Sequence, residues 1–202
     1  MFISHKYKFI FIKTRKTAGS SLEKFFLNIH DKTEEYVFGG MPPENLSPIN
    51  CFGDVEHKGW IWIKENFPAE WLNYYKFTIE RNSWDKVVSL YYWQKYYGPW
   101  KIKPFADYIE TQKKLFNRKC WNLYTQNNNL KVDKVLQFDN LHNNFKKVAH
   151  DIGIPYSNEL LDIKLKSSQR DNKNYQEMYT KKTKKIVEKS YKSVIDFFEY
   201  TF

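Results

Sequence analysis

One stretch constrains this chain more than any other. Residues 7–13 (YKFIFIK) form a nearly unbroken apolar and aromatic run. Thr14-Arg15-Lys16-Thr17-Ala18-Gly19-Ser20-Ser21 follows at once, and then Leu22, Phe25, Phe26 and Ile29 recur at helical spacing. A short run that is apolar on both faces reads as a buried strand, as in a parallel sheet. An i, i+3, i+4, i+7 stripe with small polar residues at its start reads as a helix. The loop between them has definite chemistry. Amides at a helix N-terminus lack partners and carry partial positive charge, which suits them to phosphate oxygens. Ala18 and Gly19 allow close backbone approach, Ser20 and Ser21 add hydroxyl donors, and Lys16 adds a point charge. The plainer reading is a capped helix entry with an incidental lysine.

The same order repeats twice. Residues 75–80 (YKFTIE) and 132–138 (VDKVLQF) read as strands. A helix with an aromatic face follows the first, from Trp84 until Gly98-Pro99 breaks it. Residues 141–152 form the next clear helix, with Phe145, Val148 and Ile152 on one side and Gly153 and Pro155 at its end. A short helix over 60–67 is ended by Pro68, weaker helices follow between 104 and 126, and a C-terminal amphipathic helix runs from Tyr179 onward. Residues 31–55, with Gly39-Gly40, Pro42-Pro43 and Pro48, read as an irregular excursion. Strands alternating with helices predict a single α/β domain over residues 1–202, with a central, mostly parallel sheet flanked by helices.

Composition narrows the partners. With 33 basic residues against 23 acidic ones the net charge is +10, which calls for an anion: nucleic acid, an anionic lipid surface or a phosphorylated small molecule. No run of about 18 apolar residues is present to span a membrane, and no signal-peptide pattern opens the chain. Two cysteines, Cys51 and Cys120, make no disulfide scaffold, so a reducing cytoplasm is the simplest expectation. The five histidines are scattered, without metal-ligand spacing, and no metal is expected.

A second cluster bears on the first loop. Residues 77–89 again run strand, turn, helix, with Arg81 at the strand end and Ser89 about two turns into the helix. Strand ends of a parallel sheet converge on one crevice, so Arg81 is a candidate to reach the same ligand. The first loop is not a Walker A motif, because Lys16 precedes Gly19 instead of following it. That weakens a P-loop-type kinase, and no helix-turn-helix, RNP-like or zinc signature supports a nucleic-acid-binding module.

Together the two segments resemble the cofactor signatures of sulfotransferases that use 3′-phosphoadenosine 5′-phosphosulfate (PAPS). The likeness is to the carbohydrate O-sulfotransferase branch, that of the heparan sulfate enzymes and their bacterial or viral relatives. The family's P-K-T-G/A-G-T/S-S loop is matched from Lys16 to Ser21, with Arg15 for Pro; its R-N-P-x-D-R-x-x-S-x-Y motif is matched at Arg81, Asn82, Asp85, Ser89 and Tyr91, with Ser83 for Pro and Lys86 for Arg. Residues 132–141 are similar to the strand ending in an E-N-L turn, with Asp139 for Glu, and Phe198-Glu199-Tyr200-Thr201-Phe202 resembles the F-x-Y-x-F tail.

The resemblance implies a P-loop-NTPase-like three-layer sandwich and transfer of a sulfuryl group to a hydroxyl, on a carbohydrate in this branch. It implies that Arg15, Lys16, Thr17, Ala18, Gly19, Ser20 and Ser21 hold the 5′-phosphosulfate, with Lys16 stabilising the transferring group. Arg81 and Ser89 would hold the 3′-phosphate, and Arg170, in the basic loop 164–170, is a further candidate on that side. His57 occupies the stretch where related enzymes carry their base histidine; a structural histidine, or Glu56 or Asp54 as base, are the alternatives. The lysines of the last helix read mainly as a solvated basic face.

Overall fold

The apolar run at 7–13 carries a strand, as expected, and a further short strand precedes it. β1 (Phe2–Ser4) turns back into β2 (Phe9–Ile12) with Phe2 opposite Phe11 and Ser4 opposite Phe9, and Lys8 takes a left-handed φ of 50° in the turn. The computed structural model describes residues 1–30, 36–39, 56–98, 102–111, 118–156 and 174–202. After β2 come α1 (Gly19–Asn28), β3 (Tyr36–Phe38), α2 (Trp60–Asn66), α3 (Pro68–Asn73), β4 (Tyr75–Glu80) and α4 (Ser83–Tyr97). There follow α5 (Phe105–Thr111), α6 (Arg118–Trp121), β5 (Thr125–Gln126), β6 (Asn129–Leu130), β7 (Lys134–Gln137), α7 (Leu141–Asp151), α8 (Lys181–Ser190) and α9 (Lys192–Phe198). These elements group into two units, Met1–Glu80 with Asn122–Ile163 and Arg81–Trp121 with Lys164–Phe202.

The first unit holds a five-stranded sheet in the order β3-β1-β2-β4-β7. β2, β4 and β7 are parallel, while β1 runs antiparallel to both β2 and β3. The expected α/β sandwich is therefore present with a mixed sheet. Its parallel half is the half that was legible in the sequence. Phe9, Phe11 and Phe77 point to one face, where α1 supplies Leu22, Phe25 and Phe26, and α7 supplies Phe145. The rings of Phe9 and Phe26 lie 4.9 Å apart, and those of Phe25 and Phe145 meet edge-on at 5.4 Å, the tilted geometry that aromatic quadrupoles favour. Ile10 and Ile12 alternate to the other face and are also fully buried, as a strand covered by helices on both sides requires.

Several boundaries differ from expectation for local reasons. Pro68 does not stop a helix but starts one, standing at the first position of α3, where its missing N–H costs nothing. β3 lies inside the stretch expected to be irregular, next to its glycines. β5 and β6 pair across Asn127 and Asn128, both left-handed (φ 51° and 62°), which is the backbone of a tight hairpin.

The second unit is helical and aromatic. Tyr91 packs edge-on against Phe105 at 5.2 Å, Phe105 against Tyr179 at 5.0 Å, and Tyr179 against Phe202 at 5.5 Å. The aromatic run on α4 divides: Tyr91 and Tyr92 are buried, whereas Trp93, Tyr96 and Tyr97 are exposed. The expected single C-terminal helix is two, α8 and α9, meeting at Tyr191, and a 3₁₀ turn over Tyr175–Met178 precedes them. Thr180 opens α8 with a reciprocal capping box to Thr183. Among the described residues no helix is long and apolar enough to cross a membrane.

Candidate functional site

β2 and β4 end side by side, and threonines carry their seam past the last ladder bond. Thr78 Oγ1 donates to the Ile12 carbonyl at 2.7 Å, and Thr14 Oγ1 donates to the Ile79 carbonyl at 2.6 Å. Thr17 is buried, its hydroxyl 2.9 Å from Thr14 Oγ1 and 3.2 Å from the Thr14 carbonyl. Its side chain therefore braces the loop from inside.

Lys16 and Ala18 both adopt a left-handed φ of 63°. For a residue bearing a Cβ this costs on the order of 1 kcal/mol or more, so the threonine bonds must hold the loop in shape. Left-handed residues in such a loop turn successive amides toward one side, as in backbone anion nests. Ala18 is also the N-cap of α1, and no side chain caps the helix there; its carbonyl accepts from Ser21 and Leu22. Arg15 is exposed, Lys16, Ala18, Ser20 and Ser21 are half-buried, and Gly19 is buried. The donor set suits an anion.

The space at Gly19 has a specific occupant. A Cβ built there would lie 2.6 Å from Cγ of Lys13. The glycine expected to admit a ligand thus makes room for a buried side chain of its own unit. Lys13 is 4% exposed, and its ammonium is bound by Glu23 of α1 at 2.5 Å and by Glu56. Both Lys13 and Glu23 went unnoticed in the sequence. The available signal was a charged residue at the end of an apolar strand, and another on the helix face shared by Gly19 and Phe26.

His57 joins this group. Its Nδ1 lies 3.0 Å from the Lys13 carbonyl. A carbonyl only accepts, so Nδ1 carries the proton and Nε2 carries the lone pair. Burial holds the His57 pKa below its ordinary value, and the charges of Arg15 and Lys13 add to that; the bond to the Lys13 carbonyl and the charge of Glu56 oppose it. The ring is neutral near pH 7. For Glu56, burial pushes the pKa up, but the hydrogen bond and charge of Lys13, with His57, outweigh it, and the net shift is downward. That carboxylate is a weak base already engaged with a cation. Asp54 lies outside the described residues.

In the second unit Arg81 precedes α4, and its Nε donates to Asp85 Oδ2 at 2.5 Å, one turn into the helix. Asn82 caps α4 by accepting from the Trp84 amide at 3.1 Å. Ser83, where the motif has Pro, stands at the first helical position, fully buried, and its hydroxyl has no partner among the described residues. Ser89 is half-buried about two turns on. Arg170 and the rest of loop 164–170 lie outside the described residues.

A parallel strand pair whose first strand runs through a short loop into a helix, within a mixed, helix-flanked sheet, defines a P-loop-like α/β protein. Among solved structures, mouse sulfotransferase SULT7A1 complexed with PAP matches over 98% of this chain and 87% of its own, with a TM-score of 0.58 and 12% identity. The fold is that of a sulfotransferase. Among curated proteins, an uncharacterized protein of Archaeoglobus fulgidus is 29% identical over 102 residues, which cover 49% of this chain and 82% of that protein. No protein-family model matches the chain.

Proposed function

We propose that this chain is a PAPS-dependent sulfotransferase acting on a hydroxyl, and that the acceptor is a carbohydrate. The observation that carries the reading is His57, which is neutral, with Nδ1–H given to the Lys13 carbonyl and Nε2 left as the basic atom. It belongs to the same unit as the loop over residues 14–21 that opens α1. The PAP bound in the SULT7A1 structure is consistent with this assignment. The two units are proposed to form one catalytic domain.

The residue roles are those the resemblance implies, and the chemistry of each side chain suits them. The amides and hydroxyls at Thr17, Ala18, Gly19, Ser20 and Ser21 bind the 5′-phosphosulfate, with Arg15 at the exposed edge. His57 Nε2 takes the acceptor proton as the hydroxyl oxygen bonds to sulfur. Lys16 stabilises charge building on the bridging oxygen as its bond to sulfur breaks, so its contribution is larger in the transition state than in the ground state. The leaving group is adenosine 3′,5′-bisphosphate. Arg81 and Ser89 hold its 3′-phosphate, a task for which the guanidinium fork is suited, and Arg170 assists. The carbohydrate acceptor rests on the resemblance of the two motifs to that branch.

Isothermal titration with adenosine 3′,5′-bisphosphate tests the donor assignment. Binding is expected, weakened at least tenfold by Arg81→Ala. No binding, or binding indifferent to Arg81→Ala, refutes it. Labelled PAPS offered with glycans, phenols and tyrosyl peptides then reports the acceptor, and transfer confined to phenols or peptides refutes the carbohydrate.

A further inference from the structure

A lysine and a glutamate buried within a strand–loop–helix unit call for a reason. Desolvating the two ions costs several kcal/mol each, and well-packed apolar residues commonly serve a fold as well or better. Yet Lys13 is 4% exposed and Glu23 3% exposed. Neither side chain has a role in the proposed chemistry, and Lys13 lies three residues before Lys16.

What the pair touches suggests the reason. Lys13 holds two consecutive residues by different groups. Its carbonyl accepts from His57 Nδ1 at 3.0 Å, and its ammonium is bound to the Glu56 carboxylate. A third tie fixes the same short segment, because the Met1 nitrogen donates to the Glu56 carbonyl at 2.7 Å and to Glu23 Oε1 at 3.1 Å. Residues 56 and 57 belong to no helix or strand, so these ties orient them. Glu23, on α1, holds the Lys13 ammonium from its other side at 2.5 Å. Gly19, at the start of that helix, clears the path of the lysine stem.

We infer that Lys13 and Glu23 are positioning residues for His57: the helix carboxylate steers the lysine, and the lysine grips Glu56 and His57 so that Nε2 is presented as the base. This rests on the sulfotransferase reading for its kinetics but not for its geometry. The groups facing His57 are Glu56, Lys13 and Arg15, and removing the Lys13 charge removes one of the two cations that favour the neutral ring.

The test compares wild type with Lys13→Met, which keeps the carbonyl but deletes the ammonium, and Glu23→Gln, which keeps the shape but deletes the charge. Both are expected to lower kcat about tenfold or more, leave affinity for adenosine 3′,5′-bisphosphate within threefold, and, for Lys13→Met, move the acid limb of the pH–rate profile upward. Should either single variant fold poorly, the double variant Lys13→Met/Glu23→Met removes the lysine–glutamate pair together and leaves the Met1 nitrogen on the Glu56 carbonyl. It is expected to fold while still showing the kcat loss. Nitrogen NMR of the imidazole supplies a readout that needs no turnover. Wild type is expected as the Nδ1–H tautomer with a depressed titration midpoint, and Lys13→Met with a raised midpoint and mixed tautomers. Unchanged kcat, pH limb and tautomer in a folded variant overturn the positioning role. NMR changes in a chain that neither binds the bisphosphate nor transfers sulfuryl sustain the positioning role and overturn the sulfotransferase reading instead.

Discussion

At the scale of single residues, His57 gets its character chiefly from desolvation, with the nearby positive charges of Lys13 and Arg15 reinforcing it. A histidine whose folded pKa lies below the unfolded value of about 6.5 stays uncharged as the solution is acidified past that value. If His57 is the base, the acid limb of kcat/KM falls below pH ~6.5, and His57→Ala costs about a hundredfold to ten-thousandfold in turnover at neutral pH. The same shift affects stability with a defined sign. The unfolded chain takes up the proton first, so the contribution of this site is full above the unfolded pKa and is lost as pH falls through the folded one. Melting temperatures of wild type and His57→Ala across that window should converge toward the acid end. An acid limb above the ordinary histidine range removes His57 from the role.

At the scale of elements, the start of α4 fastens two parts of the second unit. Asn82 Oδ1 accepts from the Trp84 amide, and Asn82 Nδ2 donates to the Thr201 carbonyl at 2.8 Å. Asn82→Ala removes both and is expected to destabilise the protein by about 1–2 kcal/mol. Asn82→Asp keeps the cap and loses only the donor, and should fall between. Denaturant titration ranks the three, with hydrogen exchange at Tyr200 and Thr201 reporting the tail. Equal stability of the Ala and Asp variants would show that the tail bond, not the cap, carries the effect. Elements became legible where a long periodic pattern met a strong stop. The strand at 75–80 was read to the residue, and α7 to within one residue of Asp151. β1 is only three residues long and β3 sits beside glycines, so neither offers enough alternation to register. Pro68 was misread because a proline that ends one helix and one that begins the next look alike in sequence.

On the scale of the whole molecule, the +10 charge divides into separate populations. Lys13 is consumed internally by carboxylates. Lys181, Lys182, Lys185 and Lys189 are exposed on α8, where Lys182 meets Glu110 at 2.8 Å and Lys184 lies over the Phe202 ring at 4.1 Å. An exposed ion pair such as Lys182–Glu110 contributes about 1 kcal/mol or less. Replacing Lys181, Lys182, Lys185 and Lys189 together by Gln should therefore leave binding of adenosine 3′,5′-bisphosphate within twofold, as titration calorimetry would read. A tenfold loss would put that face in the nucleotide site. The candidate loop was legible because small residues, a lysine and a helix start coincide in one octet. Lys13 and Glu23 were not, because a buried charge looks in sequence like any exposed one until its partner is seen.

Gly19 and Lys13 also bear on inheritance. Because the lysine stem fills the space where a Cβ would stand, position 19 cannot gain a side chain while Lys13 is kept. A lineage that exchanges Lys13 for a small residue releases the demand for glycine at 19 and leaves the carboxylate at 23 unanswered. In descendants of this chain, positions 13, 19, 23 and 56 should change as a set, and loops that keep Lys16 while losing the glycine should be those that have first lost the lysine at 13.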